Sequence, residues 1–204
     1  MNLKLKNHRL LFLGTLLYFA LAFVNINFAM LAMLCMITPF ILLFRDKRKT
    51  WCQGYCPRAS LFSKTGTLPL ARSRKTPASF IKGDVKWYVL MYFGMNMLIM
   101  IGTTIRVAAG SMPAMDYPRL LLFFAIRTEL PQLLPTPEVW EWLIHLSYRF
   151  FSMMSTTTIF GLILSLIYKP RTWCTICPVA TMSDVALKQQ KKSGRSVGQR
   201  KVFD

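Results

Sequence analysis

From Leu10 to Phe44 the chain runs 35 residues without a charged side chain. A single helix of that length would reach about 52 Å at about 1.5 Å per residue, far beyond a hydrocarbon core of about 30 Å. Asn25-Ile26-Asn27 falls in its middle, and Asn favours turns because its side chain competes for the local backbone. The run therefore predicts two short antiparallel helices, residues 10–24 and 28–44. Residues 87–104 form a third stretch of spanning length, and residues 140–168 a fourth, 29 residues long, which must tilt or project into the outer interface. The first run has no clear small-residue cleavage site, so it is expected to stay as a span and not be removed as a signal peptide.

Composition agrees. Hydrophobic residues make up 53% of the 204 and the mean hydropathy is +0.37, while the formal net charge is +18. In a soluble chain such an excess would suggest nucleic acid. Here the basic residues cluster between and beyond the apolar runs, the pattern of cytoplasmic loops in a membrane protein, so no nucleic-acid partner is expected. Of the 26 Lys and Arg, residues 1–9 carry three, 45–86 eleven and 169–204 eight. The positive-inside rule then puts both termini and the middle loop in the cytoplasm, which requires four spans. One long first helix, the alternative, would leave the chain's two cysteine motifs on opposite faces. The stretch YPRLLLFFAIRTELPQLLPTP (117–137) is apolar but broken by Pro, and reads as an interfacial or re-entrant piece. Residues 188–204 read as a flexible basic tail near anionic lipid.

Four of the five cysteines sit in two related phrases, KTWCQGYCPRAS at 49–60 and RTWCTICPVATM at 171–182. Each follows a predicted span, so the chain reads as two pseudo-repeated helical hairpins, each followed by a cytoplasmic Cys-Pro motif. Brought together about a pseudo-twofold axis, Cys52, Cys56, Cys174 and Cys177 would make a soft four-sulfur site. A 4Fe-4S cluster or a zinc ion suits such a set. The Pro after the last Cys of each pair, as in ferredoxin-type runs, and the apolar flanks Trp51, Tyr55, Trp173 and Ile176 favour the cluster. Structural zinc also accepts these spacings, and a dithiol–disulfide relay is a third reading. Arg45, Lys47, Arg48, Lys49, Arg58 and Arg171 would offset the charge of a thiolate-bound cluster. Cys35, within the second span, reads as packing.

These paired phrases resemble membrane iron–sulfur proteins of the NapH and NosR type, over about residues 10–185. That family is associated with quinol oxidation in periplasmic nitrate reduction and with electron supply to nitrous oxide reductase. The resemblance implies that Cys52, Cys56, Cys174 and Cys177 ligate one cluster in a bacterial inner-membrane protein. Many relatives add a ferredoxin domain or a periplasmic flavin-binding domain; no further cysteine run occurs in these 204 residues. The implied role is an electron-transfer subunit of an oxidoreductase system, working with quinol-, flavin- or haem-containing partners. The alternative is a non-enzymatic assembly or scaffold subunit with structural zinc. The domain expected is a four-helix iron–sulfur unit over residues 1–187.

On the fourth span Glu141, His145 and Arg149 are spaced i, i+4 and share one helix face. Ionisable residues at membrane depth read as functional, here as a quinone or proton site. If the helix overshoots the bilayer, the three would instead pair with one another in the outer interface. His145 is the lone His of any span, so haem ligation would need a partner subunit. SMMSTTT at 152–158 reads as helix–helix contact.

Overall fold

The computed structural model describes residues 10–69, 74–115, 117–120, 124–125 and 140–200. It is mostly helical. Helix α1 (Phe12–Val24) ends where Asn25 turns extended, at φ −153° and ψ 127°. The Asn25 Oδ1 accepts the Asn27 N–H at 2.9 Å, the local competition that ends a helix. A 3-10 turn, Ile26–Met30, then leads into α2 (Leu31–Asp46).

The chain reverses at this break. The Tyr18 hydroxyl donates to the Ala29 carbonyl at 3.3 Å. At the other end, Lys64 Nζ lies 4.2 Å from the centroid of the Phe12 ring. The start of α1 thus lies beside the chain that follows α2, as an antiparallel hairpin requires.

Among the described residues three segments are long and apolar enough to cross a membrane: Ile26–Asp46, Val85–Ala108 and Glu141–Ile167. Helix α1 has 13 residues, about 20 Å at about 1.5 Å per residue. The first of the four expected spans is thus the shortest of the apolar helices, because the asparagine break comes early. Helix α5 (Val85–Ala108) turns Tyr88, Met91, Met95, Leu98 and Ile105 outward, each more than half exposed. Outward apolar stripes of this kind suit lipid contact.

Helix α6 (Glu141–Ile167) is the axis of the packing. One side meets Ala22, Ile26 and Ala29 through Tyr148 and Phe151; the other meets Ala32 and Met100 through Phe150, Met153 and Met154. The small and hydroxyl residues Ser152, Thr156 and Thr158 are buried, so the 152–158 stretch is indeed helix–helix contact. Buried methionines here are packing, as adaptable side chains allow.

Short helices connect the long ones. A π turn (Trp51–Tyr55) and α3 (Pro57–Thr65) follow α2, α4 (Ala78–Lys82) precedes α5, and α7 (Thr172–Ile176) and α8 (Pro178–Arg200) follow α6. Helix α8 runs to Arg200, over part of the segment expected as a basic tail. Pro at its first turn and the strong helix formers Ala186, Leu187, Lys188, Gln189 and Gln190 account for it. Most of 117–137 lies outside the described residues. Within it, β1 (Arg119–Leu120) and β2 (Phe124–Ala125) form an antiparallel pair in register Arg119↔Ala125.

Candidate metal centre

The two cysteine phrases fold alike, step by step. A basic residue in the left-handed region lies between each long helix and its cysteine turn: Lys47 at φ 50° caps α2, and Arg171 at φ 67° caps the start of α7. A single turn carrying the first cysteine follows: Trp51–Tyr55 around Cys52, Thr172–Ile176 around Cys174. The second cysteine is extended in both, Cys56 at φ −70°, ψ 111° and Cys177 at φ −59°, ψ 130°. It caps a helix whose first residue is Pro57 or Pro178, where a missing N–H costs nothing.

One difference follows from spacing. Cys-x-x-x-Cys has one residue more than Cys-x-x-Cys, and a wider turn absorbs it. The Cys56 N–H reaches back five residues to the Trp51 carbonyl at 2.9 Å, the π geometry that recurs at functional sites.

All five cysteines are free thiols, each half-buried. The four in the Cys-Pro phrases are electrostatic neighbours. Burial, then the charges of Cys177 and Cys56, push Cys52 up to about 11. Burial, then Cys56 and Cys177, push Cys174 up to about 12. Cys177 also rises, burial outweighing the Arg58 guanidinium and the backbone N–H groups of Ala180 and Val179 that its sulfur meets at the start of α8. A thiolate at a helix N-terminus is favoured by those N–H dipoles. Among the described residues no group of three or more His, Cys, Asp or Glu is drawn together as a metal ion would hold it. The thiols share one neighbourhood without being closed upon one another.

Contacts between the halves hold that neighbourhood. Arg171 Nε donates to Ser63 Oγ at 2.8 Å, and Thr65 Oγ1 lies 2.9 Å from Ser165 Oγ. Thr76 Oγ1 lies 3.1 Å from Thr172 Oγ1, and Lys49 pairs with Asp184 on α8. Gly66 abuts Pro170: a Cβ there would fall 2.6 Å from the proline ring. Two apolar cavities flank the centre. One of about 280 Å³ is bounded by Tyr92, Phe93, Trp173 and Pro178; one of about 220 Å³ by Tyr18, Cys35, Pro57 and Arg58.

Two stretches of the chain, residues 28–69 and 150–196, match the family model of a 4Fe-4S binding domain.

The first stretch carries Cys52 and Cys56, with Cys35, and the second carries Cys174 and Cys177. The match supports an iron–sulfur binding protein, and it names a cluster where zinc was the alternative. No curated protein and no solved structure matches the chain. The donor chemistry suits the match: soft thiols are the ligands of an iron–sulfur cluster, and N–H groups at sulfur and apolar flanks are among the features that tune one.

The polar trio of the fourth span is split. His145 is fully buried and Arg149 nearly so, while Glu141 is exposed in the first turn. His145 Nε2 lies 3.1 Å from Thr103 Oγ1 on α5. His145 Nδ1 and Arg149 Nε have no hydrogen-bond partner among the described residues. All three share one face of α6, and Glu141 is exposed because it stands in the first turn, before the packing begins.

Sequence reasoning missed α3, Thr157 and Asp184. Helix α3 had a signal in Pro57, the favoured first residue of a helix. Thr157 and Asp184 had none, since each acts by long-range contact.

Proposed function

We propose that this chain is an integral membrane electron-transfer protein holding one 4Fe-4S cluster through Cys52, Cys56, Cys174 and Cys177. Its helices form two repeated hairpins spanning the membrane four times, with residues 1–187 as the core. The centre faces the cytoplasm, together with both termini, at a bacterial inner membrane. The observation that carries this reading is the pair of Cys-Pro turns, alike in local geometry and both inside the matched stretches. The distribution of Lys and Arg supports the orientation.

When bound, the cluster supplies one-electron chemistry; the chain ligates, insulates and positions it. Trp51, Tyr55, Trp173 and Ile176 limit water, and limited solvent exposure is one of the levers on potential. Electrons pass between a quinol-, flavin- or haem-containing partner and a second redox protein, within an oxidoreductase system like those served by the NapH and NosR type. His145 and Arg149 form a second site in this proposal, for a quinone carbonyl or a proton. Their buried, unpartnered nitrogens support it.

Anaerobic purification tests the main reading. A brown protein containing iron and acid-labile sulfide, bleached by a strong reductant, is expected. Cys174→Ala should lose the cluster, while Cys35→Ala should keep it. A colourless zinc-containing protein would return the scaffold reading, and equal loss from both substitutions would overturn the ligand set.

A further inference from the structure

Arg58 is a half-buried basic residue of the centre. It stands in the first turn of α3, two residues beyond Cys56. Its Nη1 donates to Thr157 Oγ1 on α6 at 2.8 Å. The Thr157 hydroxyl itself donates to the Met153 carbonyl at 3.0 Å, so its lone pairs are aimed at the guanidinium. Cys35 on α2 lines the same cavity as Arg58. The guanidinium thus sits where α2, α3 and α6 meet. Around it stand Met36, Phe93, Met153 and Trp173, with Cys177 at the edge.

Lys49 makes the contrast. It flanks the same centre but faces Asp184, an exposed carboxylate. Among the described residues that is the ion pair present, and no carboxylate pairs with Arg58. A cation in an apolar wall with no counter-charge is costly. The titratable groups nearest Arg58 include Cys56, two residues before it, and Cys177, which lines the same cavity.

We infer that Arg58 is the fixed counter-charge of the cluster, setting its reduction potential from the membrane-facing side. The inference rests on the cluster reading above. Reduction adds one electron to a thiolate-bound, already anionic group and moves no proton. A cation held close by in a low-dielectric wall stabilises the more negative, reduced form more than the oxidised one, and so raises the potential. Thr157 is a positioning residue: its hydroxyl holds one side of the planar fork.

The test is a redox titration of the full-length protein, purified anaerobically, followed by the EPR signal of the reduced cluster. Arg58→Met is expected to load the cluster and to lower the reduced-to-oxidised ratio at fixed potential by at least about tenfold, about 59 mV for a one-electron couple. Arg58→Lys should lie close to wild type, and Lys49→Met should leave the midpoint nearly unchanged. A loaded Arg58→Met protein with the wild-type midpoint overturns the inference and leaves the cluster reading standing. So does Arg58→Lys falling as far as Arg58→Met, because packing and not charge would then be the cause. Absence of iron and sulfide from the wild type overturns the cluster reading itself. If Arg58→Met fails to accumulate, Thr157→Val, which frees one side of the fork, decides instead: a lowered midpoint supports the inference and an unchanged one overturns it.

Discussion

Gly161 on α6 sits against the ring of Phe62 on α3 with no room for a side chain. A Cβ at 161 would fall 2.7 Å from Phe62 Cε1 and closer still to Cζ. Phe62 is almost fully buried, so its ring cannot move aside into solvent. The contact lets the helix that follows Cys56-Pro57 lie on the helix that leads to Cys174. It fixes how the two cysteine turns approach.

Gly161→Ala should therefore destabilise the protein by about 1–3 kcal/mol, the usual cost of overpacking. Gly94→Ala on α5 is the control: a Cβ there meets nothing within 4 Å, and replacing a helical Gly gains up to about 1 kcal/mol. Thermal melts in one detergent compare the two. A neutral Gly161→Ala would mean that Phe62 has another place to go.

The hairpin break makes a second prediction. Asn25→Ala removes the acceptor of the Asn27 N–H and should cost about 1 kcal/mol, as loss of a capping side chain does. Asn25→Leu should cost more, because it restores an uninterrupted apolar helix pattern across the turn. Both are read from melts, with cluster content measured alongside. Unchanged stability in both would show that the turn holds without the asparagine.

The Lys49–Asp184 pair should contribute little to stability. The Asp184 side chain is more than half exposed, and exposed pairs are worth about 0–1 kcal/mol. Asp184→Asn is expected to cost that much at low salt and less at high salt. A larger loss, insensitive to salt, would mean that the aspartate does more than pair.

Much of this architecture was legible because its causes are local. The turn at Asn25 follows from one side chain and its neighbouring amide. The alternation of long apolar helices and Cys-Pro turns follows from charge-free length and from Pro57 and Pro178. What escaped depends on who meets whom. Glu141, His145 and Arg149 have one spacing, yet two are buried and one is exposed. Periodicity fixes a shared face, but not where along the helix the packing begins. Helix α8 was hidden because Lys, Gln and Gly read as a solvated tail, although most of those residues propagate a helix once Pro178 has started one. The placement of Arg58 is a long-range fact, settled by Thr157 ninety-nine positions away.

The unligated thiols should answer to pH in a fixed direction. Cys52 and Cys174 are pushed from 9.0 up to about 11 and about 12, burial being the larger cause in both. In the unfolded chain they ionise near 9.0. Below that, folded and unfolded states both hold the proton, and the stability tied to these groups is fully present. As pH rises from there through the folded values, the unfolded state releases its protons first, and that stability is lost. The cluster-free protein should accordingly melt at lower temperature as pH climbs above 9.0, and less steeply once Cys52 and Cys174 are both alanine. The same burial predicts slow alkylation by iodoacetamide near neutral pH, because the thiolate is the nucleophile. Labelling should accelerate when the chain is unfolded in denaturant. Equal labelling of folded and unfolded chains would mean that these sulfurs are not enclosed, and the shielded four-thiol neighbourhood would fail with them.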